Sequence, residues 1–426
     1  MPKALNQELR TKNREQRSAA PIQRPACASS APPALNSALL TAALLTGGGD
    51  KPYALGMAAA LTAAGVGVDF IGSDDLDVPE VRGNARVKFL NLRGDQNPRV
   101  GAVEKLRRVL VYYGRLLWYA ATARPRTFHL LWNNKFQVID RTLVMLYYRL
   151  LGKRVVMTVH NVNAGERDGN DSWVNRATLR SQYALCDHLF VHTERMKREL
   201  VEGFGVPPEK ASIIPFGINT TVPNTALTSD EARRRLGLSP QHKVMLFFGN
   251  IAPYKGLEYL VSAFQRLASE DPEYRLVVVG RPKECDAYWQ PIEELLAAAP
   301  LRDRVVRRIE YVPDEETEVY FKAADILVLP YTHVFQSGVL FLSYGFGVPV
   351  AATDVGSLKD EIVEGETGVV CRPCDSVDLT RALREFFASE MYAQRGERRA
   401  QIVAHAKSRY SWDIVAAIIT GVYRAL

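Results

Sequence analysis

Short apolar segments alternate with helical patterns along almost the whole chain, and this alternation constrains the fold more than any other feature of the sequence. Such alternation is typical of a parallel β-sheet with helices on both faces. It stops in a polar, proline-containing segment at residues 215–227 and then resumes. The predicted strands lie at residues 37–46, 68–71, 87–90, 128–132, 154–160 and 188–192 before that segment, and at 244–248, 275–279, 305–308, 326–329, 349–353 and 368–371 after it.

Two runs of this pattern predict an α/β protein with two doubly wound domains. The chain has 426 residues, which is enough for two or three domains of ordinary size. We place the first domain at residues 38–215, the second at 216–410 and a C-terminal helix at 411–426. Hydrophobic residues make up 47% and charged residues 24% of the chain, which excludes a disordered, collagen-like or disulfide-scaffold protein.

The net charge of +7 is distributed unevenly between the two halves. Residues 1–215 hold 30 Lys and Arg against 19 Asp and Glu, a net charge of +11, whereas the remaining residues hold 24 against 28, a net charge of −4. A basic first half favours an anionic partner, either a membrane surface or an acidic acceptor. No nucleic-acid-binding module accompanies the charge, so we predict no nucleic-acid partner.

The N-terminal segment and the cysteines bear on location. Residues 1–37 are predicted to form a disordered basic tail, and Glu8 and Glu15 argue against a transit peptide. Five cysteines without a secretory signal indicate a reducing compartment, and no apolar run reaches the roughly 18 residues of a membrane span. We predict a cytoplasmic protein, located at the inner face of the membrane if its basic half binds lipid.

Two loops that follow predicted strands of the second domain have the features of a phosphate site. Gly249 allows a ligand to approach the backbone closely, and Lys255 lies where a helix begins. In the other loop, Ser337 and Gly338 precede a helix whose first N–H groups are available to an anion. The alternative interpretations are a solvated lysine in a turn and a serine that only caps its helix.

The common nucleotide-binding motifs are missing from the sequence. There is no GxxxxGK[ST], and Pro52 occupies the place of the third glycine in a GxGxxG that would start at Gly47. A P-loop protein or a simple dehydrogenase is therefore disfavoured.

Four segments of the second half, in order, resemble the donor-binding domain of the family 4 glycosyltransferases. They are GNIAPYKGLEYLVSAF, VPDEETEVYFKAADILVLPY, SGVLFLSYGFGVPVAATDVGS and EGETGVV. The similarity extends more loosely over residues 38–425. It implies a GT-B fold, in which two Rossmann-like domains face each other across a cleft and a C-terminal helix crosses back to the first domain.

The resemblance also implies roles for individual residues. The predicted catalytic residues are Lys255, at the diphosphate of a nucleotide-sugar, and His160, near the transferred sugar. The predicted donor-binding residues are Gly48, Gly49, Gly249, Asn250, Lys255, Gly280, Arg281, Tyr311, Val312, Gln336, Ser337, Gly338 and Val339. Within this set, the residues at 280–281 and 311–312 would lie beside the nucleobase, and the two glycines of the first domain would approach the phosphates from across the cleft.

One departure from the family concerns the glutamate pair that binds the sugar hydroxyls and the ribose. Val334 and Leu342 occupy those positions, and Gln336 or His333 is expected to contact the sugar instead. The family's basic residue beside the first glycine is here Asn250. We interpret the chain as belonging to a subgroup with a Gln-Ser-Gly-Val-Leu donor loop.

The first domain is expected to bind the acceptor. The polar loop at 161–173 supplies the candidate acceptor residues Asn161, Glu166, Arg167 and Asp168, although a solvated loop is the alternative. Residues 105–126 mix six basic side chains with aromatic ones, which suits a helix lying on an anionic membrane. The alternative there is an ordinary surface helix whose aromatic side chains face the core.

These observations predict a hexosyltransferase that uses a nucleotide-sugar donor, with retention, and a glycan or lipid-linked acceptor, in cell-surface polysaccharide or glycolipid biosynthesis. We expect no cofactor and no metal, because His188 and His192 are interpreted as structural. The alternatives left open are a non-catalytic nucleotide-sugar-binding subunit and a sugar-nucleotide epimerase or phosphorylase of the same architecture.

Overall fold

The computed structural model describes residues 40–426 except 98, 168, 170, 220, 221, 284 and 300, and it does not describe the side chain of Arg167. The predicted tail at 1–37 and the candidate Asp168 therefore lie outside the described residues. The remainder contains two parallel sheets, which confirms the predicted α/β architecture.

The first sheet has seven parallel strands in the order β3-β2-β1-β4-β5-β6-β7. These strands are β1 (Thr41–Leu45), β2 (Gly67–Gly72), β3 (Val87–Asn91), β4 (Thr127–Leu130), β5 (Arg154–Thr158), β6 (His188–Val191) and β7 (Ala211–Ile213). The last of them has only three residues and was not predicted, because so short a segment carries no detectable pattern.

The second sheet has six parallel strands in the order β10-β9-β8-β11-β12-β13. They are β8 (Lys243–Phe248), β9 (Tyr274–Val279), β10 (Val305–Arg308), β11 (Ile326–Leu329), β12 (Val350–Thr353) and β13 (Gly368–Cys371). In each sheet the strand order reverses beside the first strand, between β1 and β4 and between β8 and β11. Ligands of doubly wound proteins bind at the carboxyl ends of the strands at such reversal points.

The helices cover both faces of the sheets. Those of the first half are α1 (Lys51–Ala63), α2 (Pro79–Arg82), α3 (Ala102–Thr122), α4 (Gln137–Ile139), α5 (Met145–Leu150), α6 (Ala164–Arg167), α7 (Trp173–Leu185) and α8 (Glu194–Phe204). Those of the second half are α9 (Ser229–Arg235), α10 (Leu257–Glu270), α11 (Asp286–Ala297), α12 (Asp314–Ala323), α13 (Gly338–Gly345), α14 (Ser376–Ala388), α15 (Glu390–Ala393), α16 (Arg395–Arg409) and α17 (Trp412–Ala425). A π-helical stretch, Asp140–Val144, joins α4 to α5.

Local sequence explains where several helices begin and end. The hydroxyl oxygens of Ser172 and Thr193 accept hydrogen bonds from backbone N–H groups in the first turns of α7 and α8. Such caps satisfy donors that have no partner within the helix. Helix α8 ends at Gly205, whose φ of 71° is a left-handed conformation that glycine adopts without steric cost.

The C-terminal helix α17 packs against the first sheet domain. The indole of Trp412 donates a 2.8 Å hydrogen bond to the carbonyl of Ile218 and covers Gly56 of α1, where a Cβ would lie 2.3 Å from the ring. Near the other end of α17, the Tyr423 hydroxyl lies 2.6 Å from Nδ1 of His129. The helix thus crosses back from the second half to the first. Among the described residues, no helix is both long and apolar enough to span a membrane.

Candidate active site in the cleft between the sheets

A cavity of about 380 Å³ lies at the carboxyl ends of both sheets and is lined by both halves of the chain. The first half contributes residues at the start of α1, and the connecting segment contributes Phe216. The second half contributes the loops after β8, β10 and β11, and Trp412 of α17 closes one side. The predicted donor residues that line it are Lys255, Tyr311, Val312, Gln336, Ser337, Gly338 and Val339.

Lys255 is held inside this cavity by the turn that follows β8. Gly256, with a φ of 62°, ends the turn so close to the carbonyl of Pro330 that a Cβ there would lie 2.1 Å from the oxygen. The lysine is 8% exposed, and its ammonium lies 5.1 Å from the ring centroid of Tyr331.

Lys255 forms no ion pair with a carboxylate of the described residues. The lysine ion pairs found among the described residues of the second half join Lys243, Lys322 and Lys359 to other carboxylates. The side chain is thus largely enclosed while its ammonium faces the cavity without a counter-ion, so this position suits an anionic ligand.

The loops after β8 and β9 approach each other through two glycines. Gly249 has a φ of 106° and Gly280 a φ of 143°, and a Cβ on Gly280 would lie 1.8 Å from the carbonyl oxygen of Gly249. A Cβ on Gly249 would lie 3.1 Å from Nζ of Lys255, so this glycine borders the lysine. Asn250 is exposed and does not line the cavity.

The loop after β11 brings a helix N-terminus to the same cavity. Helix α13 begins at Gly338 after Ser337, whose hydroxyl lies 3.3 Å from that of Tyr331 and does not cap the helix. The first N–H groups of a helix lack intrahelical partners and attract anions. Both polar atoms of the Gln336 amide are buried without a hydrogen bond of normal geometry, and the carboxyl of Glu361 is the protein group close enough to interact with the amide. The amide is therefore available to a ligand in the cavity. Val334 and Leu342 line the cavity with apolar side chains at the positions of the missing glutamates.

Tyr311 and Arg281 form the outer edge of the site. The Tyr311 ring is 65% exposed, and the guanidinium of Arg281 lies 6.0 Å from its centroid. An exposed ring beside a cation offers a stacking surface for a planar group such as a nucleobase.

Two carboxylates that the sequence analysis did not identify also line the cavity. Asp50 caps α1 by accepting a 2.8 Å hydrogen bond from the Tyr53 N–H, and Asp314 begins α12 on the opposite side. Removal from water and the nearby Asp314 charge raise the pKa of Asp50, whereas the Tyr53 N–H lowers it. Asp50 directly follows the glycine turn, which is the signal that could have identified it.

The predicted glycines of the first domain border the cavity without lining it. A Cβ on Gly49 would overlap the ring of Trp132, and one on Gly48 would lie 2.5 Å from the guanidinium of Arg93. The turn therefore supports Trp132 and Arg93, while Asp50 and Tyr53, which follow it, face the cleft. The sequence offered no signal for Arg93, which lies in an irregular loop after β3.

His160 lies behind Tyr53 and opens onto a separate cavity of about 170 Å³. Its ring stacks on Trp132 with centroids 4.3 Å apart and meets the edge of Tyr53 at 4.7 Å. Burial, together with His192 and His129, holds the pKa of His160 well below its usual value, so the ring is neutral. Its Nε2 is buried and has no hydrogen-bond partner.

A chain of hydrogen bonds assigns the proton of His160. Nδ1 of His192 lies 3.2 Å from the carbonyl of Ile214, which can only accept, so this nitrogen carries the proton of His192. Nε2 of His192 must then accept from Nδ1 of His160, 3.2 Å away. The free Nε2 of His160 is left with a lone pair, available to a hydroxyl group of a ligand.

The predicted acceptor residues are only partly assembled. Asn161 lines the small cavity together with His160. Glu166, in α6, is exposed and lies 3.9 Å from Arg176. Among the described residues, no group of three or more His, Cys, Asp or Glu is arranged to hold a metal ion.

Comparison with known proteins gives two family matches in the expected order. Residues 47–222 match the model described as "Glycosyltransferase Family 4", and residues 242–389 match "Glycosyl transferases group 1". A relative, the D-inositol 3-phosphate glycosyltransferase of Corynebacterium diphtheriae, is 28% identical over 269 residues, which are 62% of this chain and 62% of the relative. The chain thus spans about six tenths of the length of this curated relative.

Two solved structures share the architecture. Sucrose-phosphate synthase of Thermosynechococcus elongatus aligns with a TM-score of 0.71 at 20% identity, and the alignment covers 91% of this chain and 98% of the synthase chain. HepE of Anabaena, in complex with UDP-glucose, aligns with a TM-score of 0.68 at 16% identity, and the alignment covers 91% of this chain and 100% of the HepE chain. These similarities and the two parallel sheets establish the GT-B fold that the sequence predicted.

Proposed function

We propose that this chain, which belongs to the family 4 glycosyltransferases, transfers a hexose from a nucleotide-sugar to a glycan or lipid-linked acceptor. The observation that carries the proposal is Lys255, a largely buried lysine that forms no ion pair with any described residue and shares a cavity with the N-terminus of α13. A bound diphosphate would supply the negative charge that pairs with Lys255 and with the N-terminus of α13.

The same groups suit the chemistry of transfer. When the bond between the sugar and the diphosphate breaks, negative charge develops on the leaving phosphate. Lys255, Gly338 and Val339 line the cavity before any donor binds, so the ammonium and the helix N-terminus can stabilise this charge with little reorganisation. Closure of the cavity between the two sheets keeps water from the reacting centre.

The proposed contacts to the donor begin with the Gln-Ser-Gly-Val-Leu loop. Gln336 takes the role of the missing glutamates, because its available amide both donates to and accepts from sugar hydroxyls. Tyr311 stacks on the nucleobase beside Arg281. UDP-glucose is the first donor to test, since HepE of Anabaena was solved with it.

On the acceptor side, His160 accepts a hydrogen bond through its free Nε2 and orients a sugar or acceptor hydroxyl. Retention follows if the leaving phosphate takes the acceptor proton on the face from which it departs. Proton NMR of the first-formed product would show the same anomer as the donor; an inverted anomer would exclude this route.

Contact with an anionic membrane is part of the proposal, and two adjacent helical segments support it. Their outward side chains form what we call the exposed apolar face: Val103, Leu106, Leu110, Ile139, Leu143, Leu146 and Leu150. The spacing of three and four residues within each segment puts these side chains on one side of a helix. The segments are neighbours, because the Tyr113 hydroxyl donates to Asp140 at 2.9 Å and that of Tyr147 to the Leu117 carbonyl at 3.3 Å.

The surrounding charge favours a membrane over a second copy of the chain. Residues 99–126 contain seven Lys and Arg and one acid, Glu104, so two such surfaces would repel each other. Burial of each apolar side chain contributes roughly 1.5–3 kcal/mol, and each basic residue near an anionic bilayer about 1 kcal/mol.

Flotation with vesicles tests this contact. The wild type is expected to float with phosphatidylcholine vesicles that contain phosphatidylglycerol, and L143S/L146S is expected to remain at the bottom. Leu295→Ser is the control, because Leu295 is 47% exposed and lies outside the face. Equal flotation of all three proteins, or a concentration-dependent dimer that L143S/L146S abolishes, would contradict membrane contact.

The first test of the transferase itself is a thermal-shift screen across UDP-, GDP- and ADP-sugars, followed by assay of nucleotide release. A donor raises the melting temperature in proportion to the logarithm of its concentration over Kd. Stabilisation with sugar transfer supports the proposal, whereas stabilisation without transfer to any lipid or glycan extract would favour a non-catalytic nucleotide-sugar-binding subunit.

A further inference from the structure

A second large cavity, of about 500 Å³, lies in the first half of the chain and plays no part in donor binding as described above. It lies beyond the carboxyl end of β3, between that loop, α3 and the segment after β4. Four of its lining residues are basic: Arg93, Lys105, Arg108 and Lys135. Its wall also contains the polar groups of Tyr112 and Asn134. We call it the basic cavity.

Three of these four basic side chains form no ion pair with a described residue. Arg108 pairs with Asp95 at 3.1 Å and with Glu104 at 3.0 Å. The ion pairs found in this described part of the chain do not include Arg93, Lys105 or Lys135. Nη1 of Arg93 is buried and has no hydrogen-bond partner. Because buried polar atoms normally have a partner, Nη1 of Arg93 is a donor available to a ligand that accepts hydrogen bonds.

The structure holds Arg93 in place for such a ligand. Its guanidinium lies 5.2 Å from the ring centroid of Tyr112, whose hydroxyl donates a 2.6 Å hydrogen bond to Asn134. A stacked guanidinium loses little freedom on binding and presents paired N–H groups that match phosphate oxygens. Lys105 and Lys135 add mobile point charges at the mouth of the cavity, since both are exposed.

The basic cavity lies next to the donor cavity. The guanidinium of Arg93 borders Gly48, and Asp50, two residues further on, lines the donor cavity. Consecutive Cα atoms are about 3.8 Å apart, so the Cα atoms of Gly48 and Asp50 lie less than about 8 Å from each other. The turn at 48–50 is therefore the boundary between the two cavities, and an acceptor held at the basic cavity would lie on the donor side of the first sheet domain.

The basic cavity also borders the exposed apolar face. Lys105 and Arg108 of its wall flank Leu106 of that face on α3. The cavity thus lies between the donor site on one side and the surface proposed to meet lipid on the other.

We propose that the basic cavity binds a phosphate group of the acceptor and so holds the acceptor beside the donor sugar. This inference rests on the proposed transferase function, but the phosphate site itself can be tested without turnover. The ligand class is a phosphomonoester or phosphodiester, from either a lipid headgroup or a soluble phosphorylated polyol.

The test measures equilibrium binding of glycerol 3-phosphate by calorimetry to four proteins. In K105Q/K135Q both exposed lysines of the cavity are neutralised, and binding is expected to weaken at least about tenfold, because two charge-assisted contacts are lost. R124Q/R126Q removes the same charge from exposed positions of the same region outside the cavity and should bind as the wild type does. Lys255→Ala should retain this binding while it loses nucleotide binding.

A second arm identifies the source of the phosphate. The same variants are floated with phosphatidylcholine vesicles that contain phosphatidic acid. Loss of glycerol 3-phosphate binding in K105Q/K135Q alone, together with a loss of vesicle binding that is larger in K105Q/K135Q than in R124Q/R126Q, supports a site that accepts the lipid phosphate. Loss of glycerol 3-phosphate binding alone supports a soluble acceptor.

Binding that K105Q/K135Q leaves unchanged in both arms would overturn the inference, and so would a wild type that binds neither probe. Failure of the transferase proposal has a different signature. In that case Lys255→Ala keeps nucleotide binding, whatever the basic cavity does.

Discussion

Nε2 of His192 lies 3.2 Å from Nδ1 of His160, and this contact fixes the proton of His160 on Nδ1. We predict that His192→Asn lowers kcat by about tenfold or more, because His160 loses the partner that orients its free Nε2. The Kd of the donor should not change. His192 is therefore a positioning residue.

His188→Asn is the matched control for this prediction. His188 begins β6, the strand that His192 directly follows, but its Nε2 contacts the Ser212 hydroxyl at 2.9 Å and not His160. An equal loss of kcat in both variants would show that the effect comes from disturbance of β6.

Because of the buried histidines, we predict that the free energy of unfolding depends strongly on pH below pH 6.5. Burial lowers the pKa of His129 to about 3 and that of His192 to about 4, from an ordinary value of 6.5. Between pH 6.5 and 4 the unfolded chain binds protons at these positions and the native chain does not. The free energy of unfolding should therefore fall as the pH falls through this window, by about 1.4 kcal/mol per pH unit for each histidine.

Urea unfolding at a series of pH values measures this slope. His129→Gln should flatten it by about one proton relative to the wild type, whatever its effect on stability at pH 7. A free energy of unfolding that stays constant from pH 6.5 to 4, or a slope that His129→Gln leaves unchanged, would contradict the assignment of neutral buried rings.

Gly249→Ala is predicted to weaken donor binding by displacing Lys255. The added Cβ would lie 3.1 Å from Nζ of Lys255 and 3.7 Å from Val339, on a backbone with a φ of 106°. We expect about a tenfold increase in the Kd of the nucleotide-sugar, measured by calorimetry, together with some loss of stability.

Gly237→Ala separates the two effects. Gly237 also has a positive φ, of 68°, but nothing lies within 4 Å of a Cβ placed there. This variant should lose stability and keep donor affinity. If both variants lose affinity in proportion to their stability, crowding at Lys255 is not the cause.

Tyr311 is predicted to hold the nucleobase by stacking. Tyr311→Ala should raise the Kd of the nucleoside diphosphate by roughly tenfold, within the 1–3 kcal/mol range of base–aromatic stacking. Tyr311→Phe should bind as the wild type does, because it keeps the ring. The measurement is fluorescence or calorimetric titration; a Phe variant as weak as the Ala variant would assign the effect to the hydroxyl instead.

The fold was predictable because its signals are local and repeated. Strands β4, β5 and β6 are apolar runs between helical patterns, and the predicted helix at 100–123 is found as Ala102–Thr122. A three-residue edge strand such as Ala211–Ile213 has no such pattern. Its pairing with β6 supplies the hydrogen bonds that the segment lacks on its own.

The site was predictable only in its second half. Lys255, Ser337 and Gly338 follow strands and begin helices, so their place at the cavity follows from topology. Asp50, Arg93 and the pairing of His160 with His192 depend on how separate loops pack, which one segment of sequence does not specify. The exposed apolar face required both α3 and the segment at 137–150, and each alone resembles a helix that packs on a core.

The most direct test of the account is nucleotide-sugar binding and transfer by Lys255→Ala, beside Lys283→Ala, which removes an exposed lysine from the neighbouring loop. Using the donor identified by thermal shift, we predict that Lys255→Ala remains folded, loses most of the diphosphate-dependent stabilisation and loses transfer by at least about a hundredfold. Lys283→Ala should match the wild type in both measurements. A Lys255→Ala protein that binds the donor and transfers sugar as the wild type does would contradict the assignment of this cavity as the donor site.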